Sequence, residues 1–127
     1  MKEDIKIEHS NLFLSLQLID SIDKQASVQF ILNAKIKFLE RDFIEINKSI
    51  WFDFDDWDTF LKNIKGEIVS KLSSSDESLV IEISKEDIYL SFSKVFLESE
   101  CILNIRSTDL NFIYCVKNSF IKFPKWW

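Results

Sequence analysis

Apolar and polar residues alternate at period two through much of the first half of the chain, the pattern of strands that bury one face. Ile5 and Ile7 alternate with Lys6 and Glu8, and the turn residues His9, Ser10 and Asn11 follow. Leu12, Leu14, Leu16 and Leu18 then resume the alternation, which predicts a hairpin. Asp20, Ser21 and Asp23 mark a loop. Val28, Phe30, Leu32, Ala34, Ile36 and Phe38 alternate with Gln29, Asn33, Lys35 and Lys37. At about 3.3 Å per residue this run spans roughly 36 Å, so it is expected to twist strongly or bend. A charged turn at Glu40, Arg41 and Asp42 leads into Ile44, Ile46, Ile50 and Phe52. Lys48 falls on the apolar side of that strand, which predicts a bulge or a strand end near Ser49.

The period changes at Asp53. Trp57, Phe60, Leu61, Ile64, Ile68 and Leu72 recur at helical spacing, predicting a helix over about 55–72 with an acidic start and Lys71 in its last turn, as the helix dipole favours. Gly66 inside that helix costs about 1 kcal/mol relative to alanine and would allow close packing on a sheet. The polar stretch SSSDES over 73–78 reads as a linker. Leu79, Ile81 and Ile83 pair in prospect with Ile88, Leu90 and Phe92 across a turn at 84–87, and a further strand covers about 100–106. Leu110, Phe112, Tyr114 and Val116 alternate like a strand, yet Phe112, Ile113, Val116 and Phe120 also form a helical stripe. Ser107, Thr108 and Asp109 have the character of a helix start and favour a helix over about 108–121, ended by Pro124. No internal repeat is evident. Short turns between strands argue against parallel crossovers. The expected class is α+β: one antiparallel sheet of about six to seven strands, packed on one face by a central helix (about 55–72) and a C-terminal helix (about 108–121).

A length of 127 residues and 15.1 kDa suits one domain over 1–127, and 46% apolar residues suffice for a core. The longest apolar runs are far too short to span a bilayer. The N-terminal acids Glu3 and Asp4 are foreign to a secretory leader, so the expected location is the cytoplasm. Acids outnumber bases 21 to 16, for a net charge of -5, and Arg41 and Arg106 are the only arginines. Phosphate binding rests on clustered Lys and Arg, so this balance argues against a nucleic-acid partner and is compatible with a basic protein. With Gly66 as the lone glycine, neither the P-loop nor the dinucleotide fingerprint can be written. His9, Cys101 and Cys115 are too few and too scattered for a zinc site, and the cysteines are expected as free thiols, so no metal and no cofactor is implied.

The densest charge feature is Asp53, Asp55, Asp56 and Asp58. Trp57 and Asp58 stand where a calcium loop needs an oxygen ligand and a glycine, so the EF-hand pattern fails. The cluster is then either a helix start satisfied by carboxylates or a contact patch for a basic protein surface, flanked by Trp51, Phe52, Phe54 and Trp57. A glycosidase-like acid pair could be drawn among many of the acids and so has no weight. His9 could act as a general base, but the sequence supplies no orienting acid, and an exposed turn histidine is expected. The adjacent Trp126 and Trp127 would waste much apolar area in water, and are expected to fold back on the domain or to contact a partner, including a second copy of the chain.

The segment IWFDFDDWDTFLKNI, its helix, the polar break and LVIEISKEDIYLSF, within residues 25–95, resemble the small immunity proteins of bacterial polymorphic-toxin systems, especially those paired with wall-associated toxins. The likeness departs at the C-terminal FPKWW. It implies a stoichiometric inhibitor that occludes a cognate toxin in the producing cell, without turnover or cofactor. The alternatives are a small carboxylate-dependent enzyme and a self-associating structural or adaptor domain.

Overall fold

The computed structural model describes residues 4–22, 25–38, 40–95 and 97–124. Trp126 and Trp127, expected above as contact residues, lie outside them.

Period-two alternation is realised in a first antiparallel meander of four strands, β1 (Asp4–His9), β2 (Leu12–Ile22), β3 (Ser27–Lys37) and β4 (Phe43–Asp53). The helix α1 (Phe54–Lys65) follows. A second meander comprises β5 (Ser70–Ser73), β6 (Leu79–Ile83), β7 (Ile88–Val95) and β8 (Glu100–Ser107), and α2 (Leu110–Lys122) closes the series. The class is α+β with antiparallel sheets, but the described residues form eight strands in two four-stranded sheets, where the periodicity predicts one sheet of six to seven. Although no repeat is visible in the sequence, the architecture is one, four strands then a helix, twice over.

The difference begins at the end of α1. The predicted helix over 55–72 stops at Lys65 because Gly66 takes the C-cap and Glu67 turns left-handed, at φ 56°. Glu67 N–H donates to the Ile64 carbonyl at 3.2 Å and Ile68 N–H to the Asn63 carbonyl at 3.0 Å, the paired bonds of a Schellman stop. Ile68, expected in the core, is exposed, and Leu72, placed on the helix by its spacing, is buried on β5 instead. Gly66 therefore does not seat a helix on a sheet. A Cβ there would lie 3.3 Å from the Lys62 carbonyl oxygen.

Two other expectations are revised. Lys48 causes no bulge: β4 pairs with β3 without interruption, Lys48 standing opposite Leu32. The bend of the long hairpin lies in β2, where the register shifts between Leu18 and Asp20 and leaves Ile19 extra and exposed. The loop expected at Asp20 and Ser21 is thus strand up to Ile22. The stretch over 73–78 is not a loose linker either, because Ser74 and Ser78 are buried and hydrogen-bonded.

Both sheets turn their apolar faces into one core. Leu14, Leu16, Phe30, Leu32, Ile50 and Phe52 come from the first, and Leu72, Leu79, Ile81, Leu90 and Phe92 from the second. Trp57, Phe60 and Ile64 of α1 and Phe112, Ile113, Val116 and Phe120 of α2 enter between them. α1 bridges the two sheets, packing on β4 of the first and β5 of the second, and α2, which follows the second sheet, packs on β1 of the first. The Trp57 indole is stacked on Phe30 at 5.2 Å between centroids and in contact with Phe52, Phe120 and Phe123 at 5.5, 5.4 and 5.8 Å. Among the described residues, no helix is long and apolar enough to cross a membrane.

Candidate functional site

Among the described residues the outer face of the first sheet is half-buried to exposed, and its composition follows from the register. Residues of β3 that alternate with the buried Val28, Phe30, Leu32 and Ala34 must face outward, and so must their cross-strand partners. One row across the sheet reads Asp20, Gln29, Trp51; further rows hold Gln17, Ile31, Ser49 and Ser15, Asn33, Asn47. This centre is a neutral field of amides and hydroxyls around Ile31 and the half-buried Trp51. Lys35 and Phe43 mark the far end, the ammonium 4.1 Å from the ring centroid.

At the near end the strand runs directly into the acidic start of α1. Asp53 is the last residue of β4 and the N-cap of α1, opposite Ser27, whose hydroxyl donates to it at 3.5 Å. The Asp53 side chain makes no capping bond to the helix. Asp55 and Asp56 stand exposed in the first turn, where the unpaired N–H groups favour negative charge. Asp58 is drawn to another flank, in a groove with Leu61, Lys62 and Lys65. Asp20 in β2 and Asp53 at the end of β4 stand at the end of the first sheet from which α1 starts, with Asp55 and Asp56 in its first turn. Asp20 was missed because the sequence places it in a loop. Of the four flanking aromatics, Phe52 and Trp57 belong to the core, while Phe54 and Trp51 are half-buried.

A second constellation joins residues a hundred positions apart. His9 is not a free turn histidine: its Nε2 lies 2.9 Å from Asp109 Oδ2, and its ring stacks on Phe112 at 4.8 Å. Asp109 is the N-cap of α2, accepting the Asn111 N–H at 2.9 Å. That amide, helped by the His9 contact and opposed by desolvation, holds the Asp109 carboxyl below the usual range. Ser107 Oγ accepts the Asp109 N–H at 3.1 Å, and Ser10, Asn11 and Arg106 are among the further residues lining a hollow of about 260 Å³ here. The pair has the form of a base with its orienting acid, and its evident effect is to fasten α2 to the β1–β2 turn. Asp109→Ala is expected to lower the thermal midpoint by a few degrees and Asp109→Asn by less, since asparagine still caps; circular dichroism melts would show this order.

A third constellation explains Lys48. Its ammonium reaches Asp76 Oδ2 at 2.8 Å and the buried Ser78 hydroxyl. Asp76 Oδ1 accepts the Ser74 hydroxyl and the Ser78 N–H, each at 3.0 Å. Partial burial raises the Asp76 pKa, but Lys48, Ser78 and Ser74 together outweigh it and hold the carboxyl far below its ordinary value. The turn is further sewn to β4 by Ser75 N–H donating to the Trp51 carbonyl at 2.8 Å.

No group of three or more His, Cys, Asp or Glu among the described residues is placed to hold a metal ion. Cys101 is an exposed free thiol and Cys115 a half-buried one. Comparison with protein-family models, with curated proteins and with solved structures finds no match.

Proposed function

We propose that the chain is a protein-binding domain that acts by occupancy, a stoichiometric inhibitor of a basic partner such as a bacterial toxin domain, working in the cytoplasm of the producing cell. The observation that carries this reading is the outer face of the first sheet, neutral and hydrogen-bonding around Trp51 and Ile31, with Asp20, Asp53, Asp55 and Asp56 at one end. Such a face offers an aromatic anchor and amide groups for close contact, and the acids supply the field that orients a basic partner on approach.

The carboxylate-enzyme alternative needs an acid kept protonated by its surroundings. The two carboxyls built into hydrogen-bonded networks, Asp76 and Asp109, are held ionised by those networks and so do not supply such an acid. The adaptor alternative rested on Trp126 and Trp127, which lie outside the described residues.

The test is whether a toxin domain is encoded beside this chain's gene and, with that domain, association followed by stopped-flow fluorescence. D55K/D56K is expected to slow association about tenfold at low ionic strength and much less at high salt, because exposed charges are screened beyond roughly 10 Å at 0.1 M. An equal effect at every salt concentration would rule out steering by these acids.

A further inference from the structure

The two sheets have four edges, and the molecule treats them differently. β1 lies against α2 and β5 against α1, while β4 receives hydrogen bonds from Ser75. Among the described residues β8 is the exception: its extended contact is with β7, and it is largely exposed along its length. An edge strand presents unpaired N–H and C=O groups, and proteins usually blunt such an edge with lysine, proline or a covering element. β8, ECILNIRS, contains neither lysine nor proline. Apolar surface collects around it. Ile102 is 57% exposed, the adjoining Val95 and Leu97 are more so, and Leu110 and Tyr114 continue the exposed surface onto α2. On the inward side of the strand, Leu103 and Ile105 are only partly covered.

The charges of β8 are self-complementary. Glu100 stands at one end and Arg106 at the other, both on the outward side with Ile102 and Asn104, as their pairing with Val95 and Tyr89 dictates. Arg106 is 68% exposed on its side chain, with a long contact of 3.8 Å to Asp87 and its guanidinium over the Tyr89 ring. If two β8 strands run antiparallel with Leu103 opposite Leu103, Glu100 of each meets Arg106 of the other. Cys101 then meets Ile105, and every pair joins side chains of the same face. One-residue slips put inward side chains opposite outward ones and are excluded by the pleat. A slip of two residues keeps the faces but breaks both charge pairs.

We propose that β8 is the seam of a homodimer in which a second copy of this chain pairs with it antiparallel about Leu103, fusing the two second sheets into one continuous sheet. The proposal does not depend on the inhibitor reading, because it uses neither the outer face of the first sheet nor the acids of α1.

Sedimentation equilibrium of the full chain across the micromolar range tests it. The expected mass at high concentration is twice 15.1 kDa. Arg106→Glu and Glu100→Arg each set like charges opposite one another and should weaken dimerisation about tenfold or more, while the double variant E100R/R106E restores the pairs and should return close to the wild type. Ile102→Lys, at an exposed outward position, should also weaken it, with an unchanged far-UV spectrum showing that the fold is kept. A monomer at all concentrations, open-ended aggregates in place of a dimer, or a double variant no better than the single ones would overturn the proposal.

Discussion

Trp57→Ala is expected to remove about 3–5 kcal/mol of folding stability, a large share of the 5–15 kcal/mol typical of a native domain. Urea unfolding should register this as a lower midpoint, and a thermal melt as a fall of roughly 10–25 °C. Trp57 is fully buried and touches rings from β3, from β4 and from the end of α2, so its removal opens a cavity where the first sheet and both helices meet. Collapse cannot close that cavity cheaply, because its walls belong to elements fixed elsewhere. Trp57→Phe keeps a ring in place and should cost about 1–2 kcal/mol. Equal losses for the two variants would show that the contacts of the indole with its neighbours matter less than the geometry implies.

Lys48→Met carries the second largest effect, a loss of about 1–3 kcal/mol near neutral pH. The side chain could refill the apolar volume beside Leu32, but the buried Ser78 hydroxyl and the Asp76 carboxylate would lose their cation. The same network makes a pH prediction. Asp76 has its pKa depressed in the folded chain, so its contribution is fully present above the ordinary carboxylate range and is lost as pH falls below about 4. Its side chain is 48% exposed, and solvent screening limits the effect to the order of 1–2 kcal/mol. Urea midpoints measured at pH 6 and pH 3 should therefore fall further for the wild type than for Lys48→Met. Parallel decline in both proteins would place the acid sensitivity elsewhere.

Much of the strand content was legible because one-sided burial imposes period two: β1, β3, β4, β6 and β7 fall where Ile5, Phe30, Ile50, Ile81 and Leu90 alternate with polar neighbours. The second helix was legible from its cap, since Asp109 bonds the backbone of α2 as its position suggested. The division into two sheets was not. It depends on Glu67 adopting a left-handed conformation that glutamate does not advertise, and on four residues of β5 short enough to continue a helical stripe through Leu72. The candidate face was half visible. Asp53, Asp55 and Asp56 stood out by density, whereas Asp20 and the amide rows needed cross-strand register, a property of pairs that a single strand does not encode. The His9–Asp109 and Lys48–Asp76 contacts were hidden for the same reason, since each joins segments whose proximity only the folded topology creates.

The packing of α2 on β1 has a consequence for folding during synthesis. His9 at the end of β1 and Asp109 at the cap of α2 are 100 positions apart, and closing so long a loop is entropically slow compared with zipping a local hairpin. α1 can cover Phe30 and Phe52 through Trp57 as soon as it is made, whereas the β1 side of the first meander must wait for α2. In that interval a nascent chain carries a bare apolar margin of the kind that chaperones shield.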